Sequence, residues 1–313
     1  MFLMLLFPKL NKEKEMLDCI ILGSGPAGLT AAIYCGRAKK NTVVLAGASL
    51  GGQTAEIAKL ENYPGWNGSG MELIQFMKKQ AESFGTKIEY TAANDIKFNT
   101  DGTYTVACEN GKTFDSKTVI LATGAIARRL EIAGAREFFG RGVSYCATCD
   151  GFFYNGRDVL VIGGGNAALN DALYLADVAK NVTIVYRKTE FFRAEAVLRD
   201  RIAERDNIKC MFNTELKSIK QKDGSDRLIA TTTDDKEIET DGIFVAIGHE
   251  ANTDYLSESI KRDEMGRIAP ESLPAGIFVA GDVHSNIKMQ IATAVGTGCT
   301  AAMDAIAYLN SKE

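Results

Sequence analysis

One device occurs twice in this chain and constrains its fold more than any other feature: an apolar strand that runs into spaced glycines and then into a helix of small residues. The first copy, MLDCIILGSGPAGLTAAIYCGRA, leads from residues 17–22 into Gly23, Gly25 and Gly28. The second, RDVLVIGGGNAALNDALYLA, places Gly163, Gly165 and Ala168 at the same spacing. The first glycine allows a tight turn, the second lets backbone approach a pyrophosphate, and the third position asks only for a residue small enough for close packing of helix on strand. The amino end of each helix then faces the phosphates. Two such units predict an α/β chain of two Rossmann-like folds, each holding a dinucleotide.

The end of the next strand distinguishes the two ligands, because an acid there holds a free ribose hydroxyl and a base holds a phosphate on it. In the second unit that strand runs into YRKTEFFR, and Arg187, Lys188 and Arg193 read as selection for a phosphorylated nicotinamide cofactor. A solvated basic loop is the alternative. In the first unit the stretch TVVLAGASLGGQ has Ala46 where the acid would stand, so its ligand has to be read from elsewhere.

Three further strands end in glycine, in TVILATGA (118–125), GIFVAIGHEANT (242–253) and GIFVAGDV (276–283, presenting Asp282). They predict a first fold split by an insertion: residues 17–125 and 245–313 form one body and residues 126–244 the other. Two chain crossings suit bodies that move relative to each other.

A chain of 313 residues with 46% hydrophobic residues carries two ordinary cores. Its net charge of -4 argues against a nucleic-acid partner. Seven cysteines, an odd number without a secreted framework, indicate a cytoplasmic chain. Cys19, Cys35, Cys108, Cys210 and Cys299 read as buried thiols. The apolar start, residues 1–7, is too short to span a membrane and lacks a leading basic segment and a cleavage site. Residues 1–16 are expected to be an unstructured extension, with synthesis starting at Met16.

SYCATCDG, residues 144–151, sets Cys146 and Cys149 two residues apart with Asp150 behind them. Together with GSGPAG, GGQT (51–54), ENYPG (61–65), CATCDGFFY (146–154), GGGNAA, FRAE (192–195), VAIGHEANT and AGDV, this run makes the chain resemble the bacterial-type, low-molecular-weight thioredoxin reductases of the pyridine nucleotide-disulfide oxidoreductase family, from residue 17 to 309. The resemblance implies FAD in the first unit and NADPH in the second. It assigns Gly23, Ser24, Gly25, Pro26, Ala27 and Gly28 to the pyrophosphate turn and Gly52, Gln53 and Asn62 to the flavin side. Asp282, Gln290 and Ile291 would close over the cofactor. Gly163, Gly165, Asn166 and Ala168 would receive NADPH, with Arg187, Lys188 and Arg193 at its phosphate. Two departures stand out: lysine replaces the usual arginine at 188, and one extra residue precedes Arg193.

A zinc site would need four ligands, and neither a second cysteine pair nor a paired histidine completes one around Cys146 and Cys149. A structural disulfide across so short a loop would add little stability by loop entropy and would be rare in this compartment. A redox dithiol remains. By resemblance, electrons pass from NADPH through FAD to this pair and on to the disulfide of thioredoxin. Cys149 is then the sulfur nearer the flavin, and Asp150 the acid for the departing thiolate. A plain turn aspartate before Gly151 is the other reading of Asp150.

Rotation of one nucleotide domain against the other, and a homodimer, follow from the resemblance alone. Phe152, Phe153, Tyr154 and residues 136–141 are candidates to touch the partner, with core packing and solvated loops as alternatives. A ferredoxin reductase would leave CATCDG without a task. The flavoprotein partner of a peroxidase would need an extra amino-terminal redox domain, for which residues 1–16 leave no room, and a dinucleotide sensor would pass no electrons.

Overall fold

The computed structural model describes residues 15–57, 60–258, 260–285 and 287–312. The expected extension and start at Met16 lie, apart from residues 15 and 16, outside them. Two compact units divide the chain. Unit 1 takes the residues up to Ala55, Glu61–Gly124 and those from Asn252 onward, and unit 2 takes Glu56–Leu60 and Ala125–Ala251.

Unit 1 opens with β1 (Leu17–Leu22), α1 (Pro26–Arg37), β2 (Thr42–Leu45), α2 (Gly70–Ser83) and β3 (Lys87–Glu89). An antiparallel meander follows in β4 (Ala93–Phe98), β5 (Tyr104–Cys108) and β6 (Thr113–Leu121). β1 and β2 are apolar almost throughout and buried almost throughout, as strands covered on both faces must be. α2 starts where Ser69 Oγ accepts the Glu72 N–H at 3.2 Å while the Glu72 carboxylate accepts the Ser69 N–H at 3.0 Å, a reciprocal cap.

The chain then enters unit 2 through β7 (Ala125–Ala127), β8 (Val143–Ser144), α3 (Ala147–Asp150), β9 (Asp158–Ile162), α4 (Asn166–Ala176), β10 (Asn181–Val185), α5 (Ala196–Ala203) and β11 (Ile208–Met211). The meander β12 (Leu216–Gln221), β13 (Leu228–Thr232) and β14 (Glu237–Thr240) precedes β15 (Gly242–Val245) and β16 (His249–Ala251). Unit 1 resumes with β17 (Ile277–Val279) and α6 (Ile291–Asn310).

The sheet of unit 1 runs β3-β2-β1-β6-β5-β4. The last residues of β6 pair in parallel with β1 on one side and with β17 on the other, so the late strand is built into the sheet that the first fingerprint starts. α1 and α6 pack closely because their facing residues are small: Ala27, Ala31, Ala32, Ala301, Ala302 and Ala305 are all buried in one cluster. Unit 2 has a wholly parallel sheet, β11-β10-β9-β15-β8, with the meander beside it. Arg227, just before β13, pairs with Glu239 of β14 at 2.6 Å and ties the meander to the parallel sheet by ion pairs to Asp158 of β9 and Asp241 at 3.3 Å. No helix among the described residues is long and apolar enough to cross a membrane.

Two expectations need correction. Cys19, Cys35 and Cys108 are buried, but Cys210 is exposed and Cys299 partly so. β11 is the edge strand of its sheet, which leaves its outer face to solvent. Residues 245–251 belong to unit 2 rather than to the first body. They are held there by β16, which pairs antiparallel with β7, His249 facing Ala127 and Ala251 facing Ala125.

Candidate functional site

In unit 1, β1 ends at Leu22 and the chain turns through Gly23, whose φ of +112° lies in the region that favours glycine. A Cβ on Gly28 would overlap the Gly23 carbonyl, so the third glycine is what lets α1 lie against the turn. Gly25 forms the N-cap with Pro26 at the first helical position, and no side chain caps α1. A Cβ on Gly25 would meet only the Gly51 carbonyl, at 3.8 Å, so the amino end of the helix has open space in front of it. That uncapped, glycine-lined helix end suits a pyrophosphate, whose oxygens accept the free N–H groups.

Ser24 does not point into this space. It is buried, its Oγ donates to Ala46 O at 3.1 Å and accepts from Gly51 N at 3.1 Å, and it thereby ties the fingerprint to the Gly51–Gly52 turn. Gly52, with φ of +53°, opens the 3-10 turn Gly52–Glu56 that contains Gln53. Asn62 Nδ2 donates to Gln290 Oε1 at 3.3 Å, which links the ENYPG segment to the start of α6, where Ile291 is the first helical residue. Asp282 follows β17 in a turn that packs on α1, where a Cβ on Gly281 would stand 2.9 Å from Ala27 Cβ. Burial raises the Asp282 carboxyl above its ordinary range. Residues 23–28 follow the carboxyl end of β1 and Asp282 follows that of β17, the side on which open parallel sheets bind ligands.

Unit 2 repeats the pattern. Gly163, with φ of +143°, leaves β9. Gly165 caps α4 with open space at its Cβ position, and Ala168 is fully buried under the turn. Gly164 is required for a different reason: a Cβ there would come within 2.5 Å of the Tyr186 ring. That ring stacks on Phe191 at 5.7 Å, and Phe191 meets Phe212 at 4.8 Å. This aromatic column anchors the loop on which Arg187, Lys188 and Arg193 lie exposed. Asn166, at the first turn of α4, bonds to Glu195 and so joins that loop to the second fingerprint. The open helix end suits a pyrophosphate, and the three exposed cations lie on the loop joined to it.

Cys146 and Cys149 form a disulfide with Cα atoms 5.3 Å apart. Cys146 is the N-cap of α3, and its Sγ accepts the Cys149 N–H at 3.2 Å. The Ser144 hydroxyl donates to Asp150 Oδ2 at 2.7 Å and accepts the Cys146 N–H at 3.1 Å, so Ser144, missing from the sequence reading, positions both the sulfur and the carboxylate. Thr148 Oγ1 donates to Glu56 O at 2.7 Å. The Glu56 carboxylate and both sulfurs lie within 4.8 Å of one another. Nothing in the sequence points to Glu56, because its place beside α3 comes from a segment some ninety residues upstream.

Of the candidate partner residues, Phe152 and Phe153 are each 72% exposed. Tyr154 is core packing: its ring meets Phe244 at 5.2 Å and covers Gly242.

Two dinucleotide folds, one inserted in the other and carrying a disulfide across two intervening residues, define a flavin- and nicotinamide-linked disulfide oxidoreductase. The chain belongs to the pyridine nucleotide-disulphide oxidoreductase family, whose model matches residues 17–298. It is 40% identical over 306 residues to the thioredoxin reductase of Rickettsia bellii, covering 93% of this chain and 97% of that one. It is 36% identical over 310 residues to the 34.2 kDa protein in the rubredoxin operon of Clostridium pasteurianum, covering 96% and 100%. Among solved structures, thioredoxin reductase of Lactococcus lactis in its FR conformation superimposes with a TM-score of 0.86 at 34% identity, covering 94% of this chain and 99% of that one. Family membership implies a flavin and a pyridine nucleotide, and the Cys146–Cys149 disulfide fits the family's redox-active pair.

Proposed function

We propose that this chain is an NADPH-dependent thioredoxin reductase holding FAD in unit 1 and NADPH in unit 2. The observation that carries it is the Cys146–Cys149 disulfide on a short helix of the inserted unit, in a chain with two open, uncapped fingerprint helices. When bound, the two cofactors supply the electron pair.

The residues of the chain then do the rest. Two electrons and one proton entering the disulfide break its S–S bond and leave a thiol and a thiolate. The Cys149 N–H, aimed at Cys146 Sγ, stabilises negative charge on that sulfur. One thiolate attacks the disulfide of thioredoxin, forming a mixed disulfide and releasing one partner sulfur. The second cysteine attacks the mixed disulfide, which re-forms Cys146–Cys149 and releases the other. Ser144 holds Asp150 beside the pair as the acid or as a turn-fixing group. Arg187, Lys188 and Arg193 select NADPH over NADH by meeting its extra phosphate.

The test is reduction of thioredoxin disulfide by the purified protein with NADPH and with NADH, comparing wild type and Cys149→Ser. NADPH-supported turnover that the substitution abolishes is expected. Turnover surviving in Cys149→Ser would overturn the dithiol route, and equal use of NADH would overturn the phosphate selection.

A further inference from the structure

Opening the Cys146–Cys149 disulfide creates two sulfurs of which one must take a proton, and the nearest sequence candidate, Asp150, has its carboxylate bound to the Ser144 hydroxyl at 2.7 Å. Glu56 is placed differently. Its carboxylate lies within 4.8 Å of both sulfurs, the reach of one bridging water. Its backbone carbonyl is pinned to α3 by Thr148 Oγ1 at 2.7 Å, and the same hydroxyl stands 3.5 Å from Cys146 Sγ. Residues 56–60 belong to the same compact unit as α3 and α4, so the arrangement is internal to unit 2.

We propose that Glu56 carries the proton that passes to one sulfur when the disulfide opens. The proposal rests on the redox role of the pair given above. The electron pair, from the pyridine nucleotide by way of the flavin, breaks the S–S bond. One sulfur remains thiolate, and the other takes the Glu56 proton and leaves a carboxylate. When that thiol later attacks the mixed disulfide its proton returns to Glu56, and the released partner sulfurs take theirs from water.

The electrostatics agree with this geometry. Burial raises the Glu56 carboxyl, and desolvation followed by the neighbouring Glu56 charge pushes Asp171 up to about 7. The raised Glu56 carboxyl holds its proton more readily than a free glutamate does, as a donor to a thiolate must. Glu56 faces the two sulfurs of α3 and Asp171 of α4. Near α3 also lie Asp150, held by Ser144, the Tyr174 ring against Gly151, and the Tyr154 phenol, raised by burial and facing Asp150, Arg157 and Asp241.

The experiment uses the full chain reduced with dithiothreitol, freed of reductant without oxygen, and alkylated with iodoacetamide from pH 5 to 10. Peptide masses report the rates at Cys146 and Cys149 separately from the other five cysteines. Wild type is expected to show a carboxyl inflection above the ordinary glutamate range and below the thiol inflection. Glu56→Gln removes it and speeds alkylation about five-fold at pH 7.5, because an amide does not oppose the thiolate as a carboxylate does. Glu56→Ala, which serves also if Glu56→Gln misfolds, removes the inflection in the same way.

A profile untouched by both substitutions, or one that changes in Asp150→Asn and not in Glu56→Gln, overturns the proposal. A chain with the Glu56 inflection that fails to reduce thioredoxin supports it while sinking the proposed function. Thioredoxin reduction with no Glu56 effect does the reverse.

Discussion

Asn166 and Glu195 exchange two hydrogen bonds: the Asn166 amide donates to Glu195 Oε1 at 2.7 Å, and the Glu195 N–H donates to Asn166 Oδ1 at 2.8 Å. The first residue of α4 is thereby locked to the N-cap of α5, and the loop bearing the three cations is closed onto the second fingerprint. Asn166→Ala is expected to raise KM for the pyridine nucleotide about ten-fold, the worth of two net hydrogen bonds, with kcat changed less than about two-fold. Steady-state kinetics with NADPH decide it. An unchanged KM would show that the aromatic column holds the loop without this pair.

The cations themselves make a sharper prediction. Arg187 and Arg193 are exposed, so their removal leaves the core untouched. Arg187→Ala combined with Arg193→Ala is expected to raise KM for NADPH by roughly ten- to a hundred-fold, as loss of charged hydrogen bonds does. KM for NADH should stay within about three-fold, since a free ribose hydroxyl has no charge to lose. Parallel loss with both cofactors would mean that the arginines shape the loop rather than read the phosphate.

The close contact of α1 with the first turn is tested by Gly28→Ala. Its methyl would overlap the Gly23 carbonyl, which is backbone and cannot move aside as a side chain does. The expected cost is about 3 kcal/mol, the upper end for overpacking. That corresponds to a fall in Tm of roughly 6–12 °C for a unit of this size. Circular dichroism melting of the two proteins checks it, and an unchanged Tm would refute the contact.

Stability should depend on pH through Asp171. Its carboxyl titrates at 3.8 when free and at about 7 in the folded chain. Between those values the folded state keeps a proton that the unfolded state has lost, so this contribution is fully present below about pH 3.8 and is lost as pH rises through about 7. Asp171→Asn removes the dependence. Its melting temperature should exceed that of wild type by more at pH 8 than at pH 5, and equal differences at the two pH values would contradict the raised carboxyl.

How much of this was legible in the sequence depended on the range of the interaction concerned. Gly23 and Gly163 adopt positive φ because of turns made by their immediate neighbours, and that requirement is written locally. Cys146 and Cys149, three positions apart, are joined by a single helical turn. The limit of the inserted unit was harder to read, since residues 245–251 are retained by pairing of β16 with β7, more than a hundred positions earlier. Cys210 read as buried because a strand pattern does not reveal that its strand lies at the edge of a sheet.

The sequence by itself determined the two nucleotide folds and the dithiol, because strand, glycine turn and helix are consecutive and sterics over a few residues leave few other arrangements. Only the tertiary structure decided which carboxylates face the sulfurs. Glu56 and Asp171 come from segments far apart in the chain; partial burial raises the Glu56 carboxyl, and deeper burial with the Glu56 charge raises that of Asp171. No local pattern encodes a desolvation that arises only when distant segments pack together.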